Sequence, residues 1–296
     1  MAAGLKIDPA WWRAVPGLVR AVAVAGATIT ANAAAAAPAA PVLVPSLDTG
    51  IGLPGHWFAA PGAATAPAML LLHGCGGLHD RQGRLERRYV DAAAQLNSIG
   101  VHALVVDSLT PRGERELCTQ AVGTRQVTQQ QRRRDALGAL SWLAAQPAVD
   151  AARIGLLGWS NGGSSVLAAT NTGHPEVRAA QVRPSLAVAY YPGCAAELQR
   201  GYRPVAPLLL LLGEADDWTA AAPCKALAAQ AGPAVQFEAY AGAFHGFDGQ
   251  SPPRLRKDVP GGTNPGQGVH VGADPQARSA AALRLEQFIR QTWALP

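Results

Sequence analysis

The sequence predicts an α/β domain with a mostly parallel central sheet and helices on both faces. Three observations predict it. Strand-length apolar runs alternate with helix-length amphipathic segments along the chain. The runs at 68–73, 101–106, 185–191 and 207–212 are largely apolar, as in strands buried on both faces. Residues able to do chemistry follow the ends of these runs, where sites form in open α/β sheets.

The elements follow in order. Gly55 to Ala60 is expected as an early strand, and Ala68 to His73, bounded by Pro67 and Gly74, as a buried central one. Arg84 to Ile99 carries Tyr89, Ala93 and Leu96 on one stripe and stops at Gly100, which predicts a helix. Val101 to Val106 is a second buried strand, and Asp107 to Gln120 a loop. Gln126 to Gln146 predicts a helix with Leu137, Leu140, Trp142 and Leu143 inward and Pro147 as its stop. The run Arg132-Arg133-Arg134 is expected on a solvated face of that helix. Arg153 to Leu157 is a strand, Asn161 to Thr170 a helix, and Ser185 to Tyr191 a strand closed by Pro192-Gly193. Pro207 to Leu212, a proline followed by five leucines, is another buried strand. Thr219 to Gln230 is helical. Ala234 to Tyr240 alternates, as at a sheet edge. Residues 246–268 read as a Gly/Pro/Arg-rich loop. Asp274-Pro275 opens a long amphipathic helix running to Leu295.

At 296 residues and 49% hydrophobic, the chain suits one large domain. The net charge of +5 comes from scattered arginines, so nothing points to nucleic acid. Lys6, Arg13 and Arg20 precede or interrupt a small apolar run from Leu18 to Thr30, and Ala31-Asn32-Ala33 offers a cleavage site. Residues 1–33 are therefore expected to be an export signal, or else an uncleaved interfacial anchor. The run is too short for a stable membrane span. Residues 34–50, rich in Ala and Pro, are expected as a linker, and 51–296 as a single domain.

The chemistry centres on Gly158-Trp159-Ser160-Asn161-Gly162, a Gly-x-Ser-x-Gly between a strand and a helix. Such a turn exposes a serine hydroxyl and aims the helix N-terminus at it. A serine needs a base, and an imidazole serves near neutral pH. The imidazolium that forms needs a carboxylate on its other nitrogen. Glu214-Ala215-Asp216-Asp217 follows the leucine strand, and His245 follows the next strand. Ser160 is assigned as nucleophile, His245 as base and Asp216 as orienting acid, with Asp217 and Glu214 as rivals. Asp217 better fits a helix N-terminal acid. The oxyanion donors are expected from the N–H groups of Asn161 and Cys75, with Gly76 as runner-up for Cys75. His73 is read as a brace for its loop. Trp159 and Trp218 line the pocket or simply pack in the core.

Four cysteines allow two disulfides. Cys75 and Cys118 lie in loops after neighbouring strands, and Cys194 and Cys224 flank the loops after the next two. Bridges Cys75–Cys118 and Cys194–Cys224 are expected, pinning the oxyanion loop and the acid loop. His73, Cys75 and His79 match no common zinc pattern, so no metal is expected.

The order serine, acid, histidine is that of the α/β-hydrolase triad. With Leu-Leu-His-Gly-Cys-Gly-Gly at 71–77, Gly-Trp-Ser-Asn-Gly-Gly at 158–163, Gly-Glu-Ala-Asp-Asp at 213–217 and His-Gly-Phe at 245–247, the chain resembles the dienelactone hydrolase family. The resemblance implies a doubly wound α/β-hydrolase fold, a triad on Ser160, Asp216 and His245, no metal or other cofactor, and a small-molecule ester or lactone as substrate. The family's name-giving enzymes have cysteine where this chain has Ser160, and they are cytoplasmic. Those departures point to a general carboxylesterase acting outside the cytoplasm. The elbow and the export signal are also similar to cutinase-like polyester hydrolases. A non-catalytic ligand-binding protein on a hydrolase scaffold is the reading from another class.

Overall fold

The computed structural model describes Met1, residues 39–62 and residues 64–296. Nearly all of the expected export signal at 1–33 lies outside the described residues. Among those described, no helix is long and apolar enough to cross a membrane.

Eight strands form one sheet. They are β1 (Ala40–Pro45), β2 (Gly52–Phe58), β3 (Ala66–Leu72), β4 (His102–Val106), β5 (Val149–Trp159), β6 (Leu186–Tyr190), β7 (Leu208–Gly213) and β8 (Val235–Tyr240). Their spatial order is β1-β2-β4-β3-β5-β6-β7-β8. The pairings β1–β2 and β2–β4 are antiparallel, and every pairing from β4 to β8 is parallel. The chain leaves β3 towards β4, then returns across β3 to β5. That reversal opens a crevice at the carboxyl ends of β3 and β5, the place where open α/β sheets hold ligands.

Among the described residues the α-helices are α1 (Arg87–Ser98), α2 (Gln129–Ala144), α3 (Asn161–Thr170), α4 (Pro175–Ala179), α5 (Ala195–Arg200), α6 (Ala221–Ala231) and α7 (Pro275–Trp293). The pleat sorts the leucine strand between two cores. Leu208, Leu210 and Leu212 join α2, α3 and α6 on one face. Leu209 and Leu211 join α1 and α7 on the other. A strand buried on both sides needs apolar residues at both parities, which explains the unbroken run. At the edge, β8 leaves Phe237 partly exposed.

Four expectations change. Residues 40–45 are not linker: they pair with Gly52–Trp57 as an outer antiparallel strand, with Val44 buried. Short strands of Pro and small residues are tolerated at an edge, where fewer ladder donors are needed. The arginine run is not solvated. Arg132 and Arg133 are buried and Arg134 is half-buried: Glu176 of α4 pairs with Arg133 and Arg134, Asp48 of the β1–β2 turn pairs with Arg134, and Arg132 points instead to Asn161. The expected loop at 246–268 contains β9 (Arg254–Arg256), which pairs antiparallel with β10 (Val269–Val271). Finally, Asp217 is not the acid at a helix start; it accepts from the backbone N–H and Nδ1 of His270 and anchors that hairpin.

Candidate active site

The site begins with backbone crowding. A β-carbon on Gly158 would fall 2.3 Å from the Gly162 carbonyl oxygen. The turn between β5 and α3 is thus too tight for side chains at these glycines. Ser160, between them, sits at φ 53°, ψ −116°. A non-glycine residue there is strained, and such strain gathers at functional sites. Strand β5 delivers the serine to the crevice beside the loop that follows β3.

Three side chains from three strand ends converge. Ser160 Oγ lies 2.8 Å from His245 Nε2, and His245 Nδ1 lies 2.8 Å from Asp216 Oδ2. Asp216 and His245 are buried, with 5% and 4% exposure. Asp216 Oδ1 accepts 2.8 Å bonds from the N–H groups of Trp218 and Thr219. With Nδ1–H donated to the carboxylate, Nε2 is left to accept the serine proton. Glu214 instead pairs with Lys225.

Thr219 is a residue the sequence did not single out. Its Oγ1 lies 3.0 Å from Tyr191 O, 3.0 Å from Asp216 Oδ2 and 3.1 Å from His245 Nδ1. It ties the acid–histidine pair to the end of β6. Only its place three residues after Asp216 could have hinted at this.

The loop 73–77 is held from four sides. His73 Nε2 accepts from the Ser108 N–H, so Nδ1–H donates to Gly74 O at 2.8 Å. Burial, reinforced by the Arg132 charge, pushes the His73 pKa down to about 3. It is a neutral brace. Tyr89 Oη accepts from the Gly74 N–H at 3.1 Å, and burial pushes its phenol up to about 12. Leu117 N–H donates to Cys75 O at 2.7 Å. Cys75 is disulfide-bonded to Cys118, and Cys194 to Cys224. Among the described residues, neither Cys75 N–H nor Asn161 N–H has a protein acceptor. Asn161 follows the serine directly, and a β-carbon on Gly74, next to Cys75, would fall 3.7 Å from Ser160 Cβ.

The dienelactone hydrolase family model matches residues 55–293. The chain belongs to the dienelactone hydrolase family. Membership makes it a hydrolase of the α/β-hydrolase fold. No curated protein sequence matches it. Among solved structures, a dienelactone hydrolase-like promiscuous phosphotriesterase from metagenomic libraries is 20% identical, with a TM-score of 0.64 over 87% of this chain and 99% of that one. Thermogutta terrifontis esterase 2, solved phosphorylated by paraoxon, is 15% identical, with a TM-score of 0.62 over 87% and 95%. At these identities the likeness concerns the fold.

In this dienelactone hydrolase family member, the serine opens into a cleft of about 1050 Å³ lined by Trp159, Trp218, Tyr190 and Tyr191 among others. Trp218 packs against the His245 ring at 4.7 Å between centroids, and the Arg256 guanidinium lies over the Trp218 ring at 5.4 Å from its centroid. Trp159 borders the cleft and is 3% exposed, packed into the core beneath. Its indole N–H donates to Asp248, which also binds Arg88 and Tyr191. The sequence reading missed this Asp248 cluster.

Behind the elbow lies Arg132. Its Nη1 donates to Asn161 Oδ1 at 2.6 Å. Burial pushes its pKa down to about 10, opposed by Asp135, so it is charged at neutral pH.

Proposed function

We propose that this protein is an exported serine hydrolase that cleaves carboxylic esters or lactones through an acyl-enzyme. The observation that carries the reading is the unbroken line of 2.8 Å contacts from Asp216 through His245 to Ser160. In the first step Ser160 Oγ bonds to the acyl carbon while its proton passes to His245 Nε2. The carbonyl electrons move onto oxygen, which the Cys75 and Asn161 N–H groups receive. The C–O bond to the alcohol then breaks, and the leaving oxygen takes the proton from Nε2. Water repeats the sequence on the acyl-enzyme, releasing the acid and restoring the serine. Asp216 keeps the imidazole oriented and stabilises its charged form throughout.

Export is supported by the two disulfides, which persist in oxidising compartments. In this reading residues 1–33 are the signal and the hydrolase domain extends back to β1. Trp159, Trp218, Tyr190 and Tyr191 beside the serine favour apolar or aromatic acyl groups.

The test is a Ser160→Ala variant assayed with p-nitrophenyl acetate, alongside mass spectrometry of the parent after paraoxon treatment. Loss of turnover in the variant, with a phosphorylated Ser160 in the parent, is expected. Full activity in Ser160→Ala would end the proposal, as would an unlabelled parent.

A further inference from the structure

Arg132 is 1% exposed, and its Nε and Nη2 have no hydrogen-bond partner among the described residues. Its nearest acids are committed elsewhere. Asp135 accepts from Arg112 and Ser46. Asp107 accepts from Leu109 N–H, Thr110 N–H and Thr110 Oγ1. A buried cation without a paired carboxylate is a burden on folding, and a fold retains one where it serves the site.

What Arg132 touches indicates the service. Among the described residues, its guanidinium has one hydrogen-bond partner, the side chain of Asn161, the residue immediately after Ser160. From the same helix face, three residues earlier, Gln129 Nε2 donates to Asn161 O at 3.2 Å. Ser165 Oγ lies 2.8 Å from both Asn161 O and Gln129 Oε1. Asn161 is therefore gripped at its side chain and its carbonyl. Among the described residues, its N–H and its side-chain Nδ2 have no protein acceptor, and of these the N–H is the backbone donor directly after Ser160.

We propose that Arg132 is a positioning residue of the oxyanion pocket, orienting the Asn161 N–H through the side-chain contact and adding an unneutralised positive charge behind it. The inference rests on the esterase reading above. In a low-dielectric surround such a charge acts over several ångströms on an anion forming beside Ser160. It interacts little with a neutral ester before reaction. Its effect belongs to the transition state and so to kcat.

The test compares the parent with Arg132→Met, which keeps an apolar stem and removes the charge, and Arg132→Lys, which keeps a charge. Three quantities are read: kcat and KM for p-nitrophenyl acetate, inhibition by phenylboronic acid, and melting temperature. The boronic acid becomes a tetrahedral anion when Ser160 Oγ bonds to boron and the serine proton moves to His245. Expected for Arg132→Met are a kcat lower by about 10- to 100-fold, a nearly unchanged KM, boronic acid binding weakened by a similar factor, and a melting temperature equal to or above the parent's. Arg132→Lys recovers most of the lost kcat.

A parent that paraoxon does not label at Ser160 overturns the esterase reading and this inference together. With a labelled parent, the inference alone is overturned by a kcat in Arg132→Met within about twofold of the parent, by a loss carried in KM, or by no recovery in Arg132→Lys. An Arg132→Met chain that melts well below the parent, or does not fold, would make the guanidinium a structural strut and would overturn it too.

Discussion

The backbone of Gly162 lies so close to Leu72 that a β-carbon on Gly162 would fall 2.0 Å from the Leu72 carbonyl oxygen. The first turn of α3 is therefore seated directly on the end of β3. That seating brings the serine of one strand next to the 73–77 loop of its neighbour. Nearness of the two depends on the missing side chain.

Gly162→Ala should therefore damage stability and site together. The overlap is with backbone, which cannot rotate aside, so a loss of about 3 kcal/mol or more is expected. Urea denaturation measures the first effect and p-nitrophenyl acetate turnover the second. A variant with the parent's midpoint would show that α3 can slide without consequence.

The two adjacent acids should separate cleanly. Asp216→Asn keeps the shape but removes the charge beside His245 Nδ1, and a kcat loss on the order of 10³ to 10⁴ is expected. Asp217→Asn weakens the grip on His270 and the β9–β10 hairpin, leaving kcat within about tenfold of the parent. Steady-state kinetics on both variants decides it. Equal losses would mean that the acid role is shared.

The fold was legible wherever burial on two faces demands continuous apolar sequence, as at Leu208–Leu212. Chain order and strand ends likewise pointed to Ser160, Asp216 and His245. β1 was hidden because an edge strand of Ala, Pro and Val has the composition of a linker. Arg132 was misread for a different reason. A charge on a helix is usually solvated, and no local pattern reveals that Asn161 will arrive against it. The Asp248 cluster with Arg88 and Trp159 spans residues 88–248 and leaves no trace in any short window.

The two disulfides should differ in consequence. They join cysteines 43 and 30 residues apart, so each is expected to contribute about 3–4 kcal/mol by restricting the unfolded chain. Only Cys75–Cys118 is anchored in the 73–77 loop, the proposed source of an oxyanion donor. Replacing that pair with serine should lower kcat as well as the melting temperature, while replacing Cys194 and Cys224 should lower the melting temperature alone. A kinetic loss confined to the second pair would reverse the assignment.

His73 predicts an acid-sensitive fold. Its pKa falls from 6.5 to about 3 in the folded chain, first through burial and then through repulsion from Arg132. Between those values the unfolded chain binds a proton that the folded chain refuses. Stability therefore declines as pH drops below about 6.5, and the contribution is fully lost near pH 3. The size is on the order of a few kcal/mol. Because the ring is neutral throughout the working range, it adds no ionisation of its own to the rate profile. His73→Gln should fold less stably at pH 7 yet show a flatter acid limb when urea midpoints at pH 7 and pH 4.5 are compared. Parallel limbs in parent and variant would place the acid sensitivity in other groups.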